Sequence, residues 1–241
     1  MNKPGRIRAV SLLLSLTLAL VICIPAQTHA QSTAAATEQF RHINDNYKHP
    51  DVDVWVERFE GEGREVYDYR NQLVDAIGLQ EEQDVADVGA GTGLFEPLLS
   101  HKVGANGIVY AVDIVPAFIQ HIKQKAEQAG LSNIRTFLSD EHSIHLPENS
   151  VDVVYICDAY HHFTYYQDML RSIHKALRPD GQLFLVEYDK RPGISSDWLI
   201  NHIRGTKQEF TREIEAEGFN MAGDIKIDGL KDTFARRFLK K

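Results

Sequence analysis

The middle of the chain alternates short apolar runs with longer stretches whose apolar positions repeat at helical spacing. Consecutive apolar residues are typical of strands covered on both faces, whereas spacings of three and four are typical of packed helices. The pattern predicts strands at residues 84–88, 107–113, 134–138, 151–156 and 182–188. It predicts helices between them at 95–100, 116–129 and 169–177. Repeated strand–helix units indicate an α/β fold with a parallel, doubly wound sheet.

The last part of the chain departs from this alternation. Residues 198–217 have a mostly helical pattern with an interruption near Gly205, and residues 221–227 and 233–239 are predicted strands. Parallel neighbours need a long crossover, and no long helix separates these two strands. The pattern therefore predicts an antiparallel hairpin that completes the sheet.

The region before residue 84 mixes aromatic and charged side chains. Residues 51–59 and 64–77 have helical character and include Trp55 and Tyr67 among several arginines and glutamates. Two interpretations stay open: helices that only pack on the domain, or a helical lid over the functional site. On the second interpretation, Trp55 and Tyr67 are candidate substrate contacts.

The first thirty residues have the layout of a secretory signal peptide. Three basic residues precede an apolar run over residues 9–24, and the small residues Thr28 and Ala30 follow. The run is shorter than the roughly 20 residues of a membrane span, which favours cleavage over an uncleaved anchor. We expect a signal peptide at 1–30, a lead or lid segment at 31–63 and the main domain at 64–241. The expected location is periplasmic or secreted, without stable membrane insertion; a membrane-anchored or inefficiently exported cytoplasmic form stays open.

Composition and charge narrow the possible partners. A hydrophobic fraction of 43% and a charged fraction of 25% are ordinary for a globular protein. Cleavage after residue 30 would remove three positive charges and no negative ones, so the net charge would fall from −8 to about −11. This disfavours nucleic acid and leaves a small-molecule substrate, because little would neutralise phosphates. Cys157 would be the only cysteine left, so no intramolecular disulfide is expected. No pattern predicts an oligomeric state.

One stretch, residues 85–95, carries the chemistry of the site. A buried strand runs into three alternating glycines and then into a helix, which brings a ligand against main-chain N–H groups. The spacing is G-x-G-x-G, which differs from the G-x-G-x-x-G pattern of pyrophosphate binding. Asp87 precedes the turn, where a carboxylate would repel a pyrophosphate but could bind an ammonium group. Asp113 ends the next strand, where it could accept hydrogen bonds from ribose hydroxyls.

These residues resemble motif I of class I S-adenosylmethionine-dependent methyltransferases. The resemblance rests on five motifs in order, which are Asp87-Val88-Gly89-Ala90-Gly91-Thr92-Gly93, Val112-Asp113, Ser139-Asp140, Asp158-Ala159-Tyr160-His161-His162-Phe163 and Leu177-Arg178-Pro179-Asp180-Gly181. The last two are similar to those of type-11 and quinone C-methyltransferases. The resemblance implies a Rossmann-like seven-stranded sheet in the order 3-2-1-4-5-7-6 with strand 7 antiparallel, in agreement with the hairpin.

The resemblance also implies S-adenosylmethionine as the cofactor and a role for each motif residue. By this resemblance, Asp87 binds the ammonium group, Asp158 lies on the methionine side, and Asp113 binds the ribose hydroxyls. The methionine part and the ribose are approached by Gly89, Ala90, Gly91 and Gly93. The adenine is contacted by Ile114, Asp140 and Glu141. A solvated loop stays open as the alternative for Asp140 and Glu141.

Methyl transfer mainly requires alignment of the acceptor, exclusion of water and, for some acceptors, removal of a proton. The candidates for a base or for orienting the acceptor are Tyr160, His161 and His162, after the fourth strand. Of the two histidines, we expect one to be structural and one to face the site. Further candidate substrate contacts are Glu187, His202 and Arg204. An arginine could hold an anionic substrate, although a surface salt bridge stays open for Arg204.

No metal is expected from the sequence. His142 and His145 lie in a loop without the H-E-x-x-H pattern, and cysteine pairs are absent. The leading hypothesis is therefore methyl transfer to a small molecule. A non-catalytic adenosyl-binding domain is the main alternative, and a nucleotide-dependent oxidoreductase is disfavoured by the glycine spacing and Asp87. No pattern distinguishes an oxygen, nitrogen, sulfur or carbon acceptor.

Overall fold

The computed structural model describes residues 43–241 together with Met1. The predicted signal peptide at 1–30 and the start of the lead segment lie outside the described residues. Among the residues that are described, no helix combines the length and the apolar character needed to cross a membrane.

Helices and strands alternate along the described chain. The helices are α1 (Val52–Phe59), α2 (Glu65–Asp68), α3 (Arg70–Ile77), α4 (Glu96–Val103), α5 (Pro116–Gln128), α6 (Tyr166–Ala176), α7 (Asp197–His202) and α8 (Lys207–Ala216). The strands are β1 (Val85–Val88), β2 (Val109–Asp113), β3 (Ile134–Leu138), β4 (Val151–Cys157), β5 (Leu177–Tyr188), β6 (Phe219–Ile225) and β7 (Thr233–Lys240). Short 3-10 turns cover Asp45–Tyr47 and Tyr160–His162.

The strands form a seven-stranded sheet in the order β3-β2-β1-β4-β5-β7-β6. β1 to β5 pair in parallel, whereas β7 is antiparallel to both β5 and β6. The predicted α/β class, strand order and terminal hairpin are thereby confirmed. The order runs outward from β1 in one direction and from β4 in the other, so a topological switch point lies between these two strands.

Alternate residues of the central strands build two apolar layers. On one face, Ala86 of β1 and Val154 of β4 belong to a cluster with residues of α6 and α8. On the other face, Val85 and Val153 belong to a cluster with residues of α3 and α4. Every residue of β1 is buried, as expected for a strand with helices on both sides.

The lead segment packs over the carboxyl ends of the parallel strands. Trp55 of α1 is buried against Val115 and Phe118, at the start of α5. The ring of Tyr47 lies 4.6 Å from the ring of Trp55. Asp51 caps α1, because its carboxylate accepts the N–H of Asp53 at 3.2 Å. The segment is therefore docked on the domain in the position expected of a lid.

Several element boundaries differ from the sequence prediction, including the start of β5, the division between α2 and α3 and the start of β6. β5 begins at Leu177 and not at 182, because a bulge separates the pairs Val151–Leu177 and Val153–Gln182. The predicted helix over 64–77 is divided at Tyr69 into α2 and α3. The hairpin strand β6 begins at Phe219, two residues earlier than predicted.

The interruption expected near Gly205 is present and has a steric cause. A Cβ at Gly205 would lie 2.7 Å from the ring of Phe210. Directly afterwards, Thr206 and Glu209 form a capping box that starts α8. The close approach and the new cap together separate α7 from α8.

Arg178 fastens the amino ends of two central strands, opposite the switch-point end of the sheet. Its guanidinium donates to the carboxylates of Asp152 and Asp84, both at 2.6 Å. These carboxylates also accept main-chain N–H groups, Asp152 from Asp84 and Asp84 from Ile108. The arginine of the Leu-Arg-Pro-Asp-Gly motif therefore serves the assembly of the sheet.

Replacing Arg178 by alanine should lower the free energy of unfolding by about 1–2 kcal/mol, because two hydrogen-bonded carboxylates lose their shared cation. Urea unfolding of the purified protein measures this loss. Arg171→Ala is the matched control, since this more exposed arginine pairs with Asp168 and Glu217 at the surface and should cost less than about 1 kcal/mol. An equal loss in the two variants would contradict the assignment.

Candidate functional site

A cavity of about 360 Å³ opens at the switch point, beyond the carboxyl ends of β1, β2 and β4. This volume suits a small-molecule ligand. Nine of the ten predicted cofactor residues line the cavity, namely Asp87, Gly89, Ala90, Gly91, Asp113, Ile114, Asp140, Glu141 and Asp158. Gly93, the tenth, lies behind the turn, where it shapes the backbone without lining the cavity.

The glycine turn is packed so closely that two of its members admit no side chain. Gly89 has a φ of +84°, and a Cβ there would lie 2.4 Å from the Cβ of Ala159. Gly93 has a φ of +77°, and a Cβ there would lie 2.9 Å from Ile122. Glycine adopts such angles without strain. Sterics therefore explain both positions independently of any ligand.

Asp87 brings a buried carboxylate to the cavity with one oxygen unused. The side chain is 2% exposed, and its Oδ2 has no hydrogen-bond partner among the described residues. Burial raises the pKa of Asp87 well above its usual value, and the charges of Glu96 and Asp113 raise it further. A buried carboxylate without a partner destabilises a fold, so this oxygen is suited to a cationic ligand.

Glu96 adds a second buried carboxyl group at the start of α4. Both of its oxygens lack a hydrogen-bond partner in the described structure. Burial raises its pKa to about 7, against the opposing charge of Lys125. Glu96 lies behind the glycine turn, so it makes the turn's surroundings more negative without facing the cavity.

Asp113, the last residue of β2, holds the turn and faces the cavity. Its Oδ2 accepts the N–H of Gly91 and its Oδ1 accepts the N–H of Val115, both at 2.8 Å. Burial nevertheless raises its pKa to about 6. A carboxylate oxygen has two acceptor positions, so Asp113 can bind ligand hydroxyls while it keeps the turn in place.

The residues expected around the adenine lie at the outer part of the cavity. Ile114 exposes 47% of its surface and is therefore free to pack on a ligand. Asp140 lines the cavity, but its Oδ1 also accepts the N–H groups of His142 and Ser143 at 2.7 and 2.8 Å. The position of Asp140 is thus compatible with both interpretations, since the residue lines the cavity and also holds its own loop together.

The lead segment forms one wall of the cavity. Its lining residues include Asn44, Tyr47, Phe59 and Arg64. Glu60 ties the end of α1 to the glycine turn, since its Oε1 accepts from the hydroxyl of Thr92 and from the ammonium group of Lys125, both at 2.9 Å. Lys125 also donates to the carbonyl of Gly93 at 3.0 Å. The wall and the turn are therefore parts of a single polar network.

Arg64 makes the polar contact between the lead segment and the loop after β4. Its guanidinium donates to Asp158 at 2.5 Å and to the carbonyl of Phe59 at 2.8 Å. Asp158 has a φ of +52°, which is uncommon for a residue with a Cβ. Asp158 therefore reaches the cavity with its charge already paired, an arrangement that the sequence did not predict.

Two of the three predicted catalytic residues lie behind the cavity wall. Tyr160 is buried and its hydroxyl donates to Glu213 at 2.9 Å. His161 is also buried, with its Nδ1 2.9 Å from Glu187, which accepts the main-chain N–H of His161 as well. The expectation that Tyr160 contacts the acceptor is corrected, because its hydroxyl is bonded inside the protein and it does not line the cavity. His161, held through Nδ1 by Glu187, is the structural member of the histidine pair.

His162 is the predicted catalytic residue that lines the cavity. Its Nδ1 lies 2.8 Å from Oδ1 of Asn44, whose amide nitrogen donates to the carbonyl of His162 at 3.0 Å. An amide oxygen only accepts, so the ring hydrogen is on Nδ1. Burial lowers the pKa of His162 well below its usual value, and His161 and His202 lower it further. The ring is therefore neutral at about pH 7.

The aromatic substrate candidates of the lead segment lie outside the lining. Trp55 is 8% exposed and supports the wall from behind, through Tyr47 and Phe59. Tyr67 carries the guanidinium of Arg70 above its ring, 4.1 Å from the centroid. Both expectations of a direct substrate contact are corrected, because neither ring lines the cavity: Trp55 packs against α5, and Tyr67 packs against Arg70.

The late substrate candidates also have partners inside the protein. Arg204 donates to Glu213 at 2.7 Å and lies over the ring of Tyr160, so it forms a half-buried ion pair within the protein and neither of the alternatives left open. Glu187 is buried on His161. The ring of His202 stacks on Trp198 at 4.7 Å and lies 5.1 Å from the ring of His161.

Sequence reasoning missed two groups of site residues. Asn44, Tyr47, Phe59 and Arg64 enter the cavity only because α1 folds back over the sheet. The second group is His161, His162 and His202, which were candidates singly but were not expected to meet; each has a ring nitrogen within 4.8 Å of the others. Forty residues separate the last of these from the pair, so spacing gave no signal.

The comparisons with known proteins agree with this geometry. Residues 86–185 match a family model described as a methyltransferase domain. The ubiquinone/menaquinone biosynthesis C-methyltransferase UbiE of Idiomarina loihiensis is 28% identical over 123 residues, which cover 51% of this chain and 49% of that protein. The chain therefore spans about half the length of the curated relatives that it matches.

Solved structures share the fold. A SAM-dependent methyltransferase from Aquifex aeolicus has a TM-score of 0.69 at 24% identity, over 80% of this chain and 100% of that one. The [4+2]-cyclase SpnF has a TM-score of 0.63 at 16% identity, over 75% of this chain and 84% of that one. Residues 86–185 thus match a methyltransferase domain, and the solved structures share the fold that the resemblance implied.

Cofactor affinity should fall as the pH drops through about 6, the raised pKa of Asp113. A bound cation or hydroxyl favours the ionised carboxylate, so binding releases protons below that pH and becomes stronger as the pH rises. The raised pKa of Asp87 acts in the same direction. Calorimetric titration with S-adenosylmethionine between about pH 5 and about pH 8 measures the effect.

The variant Asp113→Asn provides the control for this pH dependence. It should bind more weakly and lose part of the dependence, since one of the titrating groups is gone. An affinity of the parent protein that does not change across this pH range would contradict the proposed role of the buried carboxylates.

Proposed function

We propose that this protein transfers the methyl group of S-adenosylmethionine to a small-molecule acceptor. The observation that carries the proposal is the buried, unpartnered Oδ2 of Asp87 at the start of the glycine turn, inside a cavity of about 360 Å³. A carboxylate in this position matches a ligand with a cationic end and opposes a pyrophosphate. The match of residues 86–185 to a methyltransferase domain supports the same conclusion.

The residues of the cavity fit the chemical groups of this cofactor. Bound S-adenosylmethionine supplies a methyl group already activated by a sulfonium sulfur. Asp87 would bind its ammonium group, and Asp113 would accept the ribose hydroxyls without releasing Gly91. Ile114 would pack on the adenine at the outer part of the cavity. Gly91 has a φ of +56°, which glycine adopts without strain.

The contribution of the protein to the reaction is alignment and the exclusion of water. Tyr47, Phe59 and Phe163 line the cavity with rings, and Arg64 holds the lead segment to Asp158. An in-line transfer depends on the position of the acceptor, and such alignment supplies a large part of the rate. We propose that His162, which is oriented by Asn44, contacts the acceptor.

The acceptor is proposed to be small because the cavity is enclosed by the lead segment and the loop after β4. The net charge of −8 opposes binding to nucleic acid, which is itself an anion. The curated relatives include ubiquinone/menaquinone C-methyltransferases, which supports a small organic acceptor for this chain. The alternative is an adenosyl-binding role without methyl transfer. It is supported by the fold of the [4+2]-cyclase SpnF, which is similar to that of this chain although that protein is named for a different reaction.

Transfer of labelled methyl from S-adenosylmethionine into a small-molecule extract tests the proposal. The parent protein should label at least one metabolite, and Asp87→Asn should bind the cofactor about 100-fold more weakly, a loss of about 2.7 kcal/mol. The same substitution should leave the melting temperature unchanged or raise it. The reason is that burial holds the pKa of Asp87 well above its usual value, so its ionised form destabilises the fold at neutral pH.

Asp75→Asn is the matched control, since Asp75 is exposed and pairs with Lys102 on the surface. It should change neither binding nor transfer. Cofactor binding without any labelled product would favour the non-catalytic alternative. Binding that survives Asp87→Asn unchanged would overturn the assigned role of this carboxylate.

We propose further that the protein is exported and works outside the cytoplasm. The support is the order of three basic residues, an apolar run and small residues within the first thirty positions. Fractionation of cells that express the full chain, with mass determination, should recover a periplasmic or secreted form that lacks about thirty residues. An intact chain in the cytoplasm would refute export.

A further inference from the structure

Three histidines meet beside the cavity at a place that the proposed cofactor contacts do not use. His161 and His162 belong to the 3-10 turn after β4, and His202 ends α7. The ring centroids of His161 and His162 are 4.0 Å apart, and His202 lies 5.1 and 5.6 Å from these two rings. One ring nitrogen of each histidine lies within 4.8 Å of the others.

His161 and His162 are each held by a hydrogen bond at Nδ1. The second ring nitrogen of each, Nε2, is therefore left available. Nδ1 of His161 donates to Glu187, whose two oxygens also accept the main-chain N–H groups of His161 and Tyr188. Nδ1 of His162 donates to Oδ1 of Asn44. A hydrogen bond from one ring nitrogen to an oxygen is the usual outer support of a metal-binding histidine, because it orients the ring and selects the tautomer.

The free nitrogen of His161 is the observation that points to a ligand. The side chain is 2% exposed, and its Nε2 is buried with no hydrogen-bond partner among the described residues. A buried ring nitrogen without a partner is unfavourable whether it carries a hydrogen or a lone pair. The hydrogen bond to Glu187 uses Nδ1 and does not account for the buried Nε2. Coordination of a cation would give Nε2 a partner.

A neighbouring group of ligands is less suitable. Asp158, His161 and Glu187 also lie close enough to be considered together. However, Asp158 is paired with Arg64 at 2.5 Å, and Glu187 lies 2.9 Å from Nδ1 of His161, which is a direct hydrogen bond. This group is therefore occupied by its own contacts, and Glu187 acts as the support of His161.

We propose that His161, His162 and His202 bind one zinc ion, or another divalent ion of the kind that prefers imidazole. Zinc takes three histidines at about 2.0–2.1 Å in sites that keep a fourth position open, and tetrahedral ligands at that distance lie about 3.3 Å apart. The ring nitrogens, which lie up to 4.8 Å apart, would have to approach to this separation when the ion binds. Small rotations of the two half-buried rings, His162 and His202, would bring them together.

The position of this site suggests its use, which rests on the function proposed above. His162 lines the cavity, so an ion bound to it lies at the cavity wall. The open position would take an oxygen or sulfur atom of the acceptor, as zinc binds both. The acceptor class is then a hydroxyl or thiol compound, positioned by the ion beside the methyl donor.

Zinc titration of the metal-free protein tests the site without any need for turnover. The full chain is treated with a chelator, dialysed and titrated with Zn²⁺ by calorimetry, in the absence of S-adenosylmethionine. We expect one ion per chain, and we expect Co²⁺ in its place to give the visible absorption bands of a tetrahedral nitrogen site.

The variants separate ligands from support. His202→Ala should weaken zinc binding about 100-fold or more, since one of three ligands is lost. Glu187→Gln should weaken it by about 10- to 100-fold, the usual effect of removing such a support. His142→Ala is the matched control, because His142 lies on an exposed loop beside Asp168 and should leave zinc binding unchanged.

Two outcomes would overturn the metal site. One is the absence of stoichiometric zinc binding by the parent protein. The other is zinc binding that is unchanged in His202→Ala, whatever the result for His142→Ala. Binding of S-adenosylhomocysteine to the same samples is measured separately and should persist in His202→Ala, so failure of the metal site and failure of the proposed function are distinguishable.

Discussion

The buried carboxylate of Asp87 is the constraint on which the rest of the site depends. β1 is covered by helices on both faces, so every side chain that it carries must be removed from water. An acid in such a strand is destabilising unless a partner compensates, and Glu96 and Asp113 increase the local negative charge. Lys125 opposes this charge from behind the turn. The site is therefore prepared for a cationic group at the cavity side, at the expense of some stability of the free protein.

The same constraint explains why the lead segment and the glycine turn form a continuous network. Lys125 reaches the carbonyl of Gly93 and the carboxylate of Glu60, and Glu60 also accepts from Thr92. Lys125, whose positive charge offsets the carboxylates beneath the turn, thus also holds the end of α1. Since the wall of the cavity is fastened to the turn itself, the position of the wall and the shape of the cofactor site are set together.

The fold was predictable because its determinants are local and repeated. Apolar runs located the strands, and Asp113 and the alternating glycines located the switch-point site. The parts that the sequence did not predict depend on contacts between distant segments. Asn44 orients His162 across more than one hundred residues, and Arg204 becomes a half-buried partner of Glu213 only through the packing of α8. Charged and aromatic residues such as Arg204 and Tyr67 have no pattern that separates a packing role from a substrate contact.

The choice of reaction depends on the wall after β4 more than on the fold, which a cyclase also shares. Tyr160 anchors this wall through Glu213, which Arg204 holds in turn, so the loop has a rigid support on the side away from the cavity. On the cavity side, His162 is oriented by Asn44 of the lead segment. An acceptor aligned by His162 would therefore be placed by two segments at once, and displacement of either one would misalign the transfer. Specificity for the acceptor would then be determined where these two segments meet.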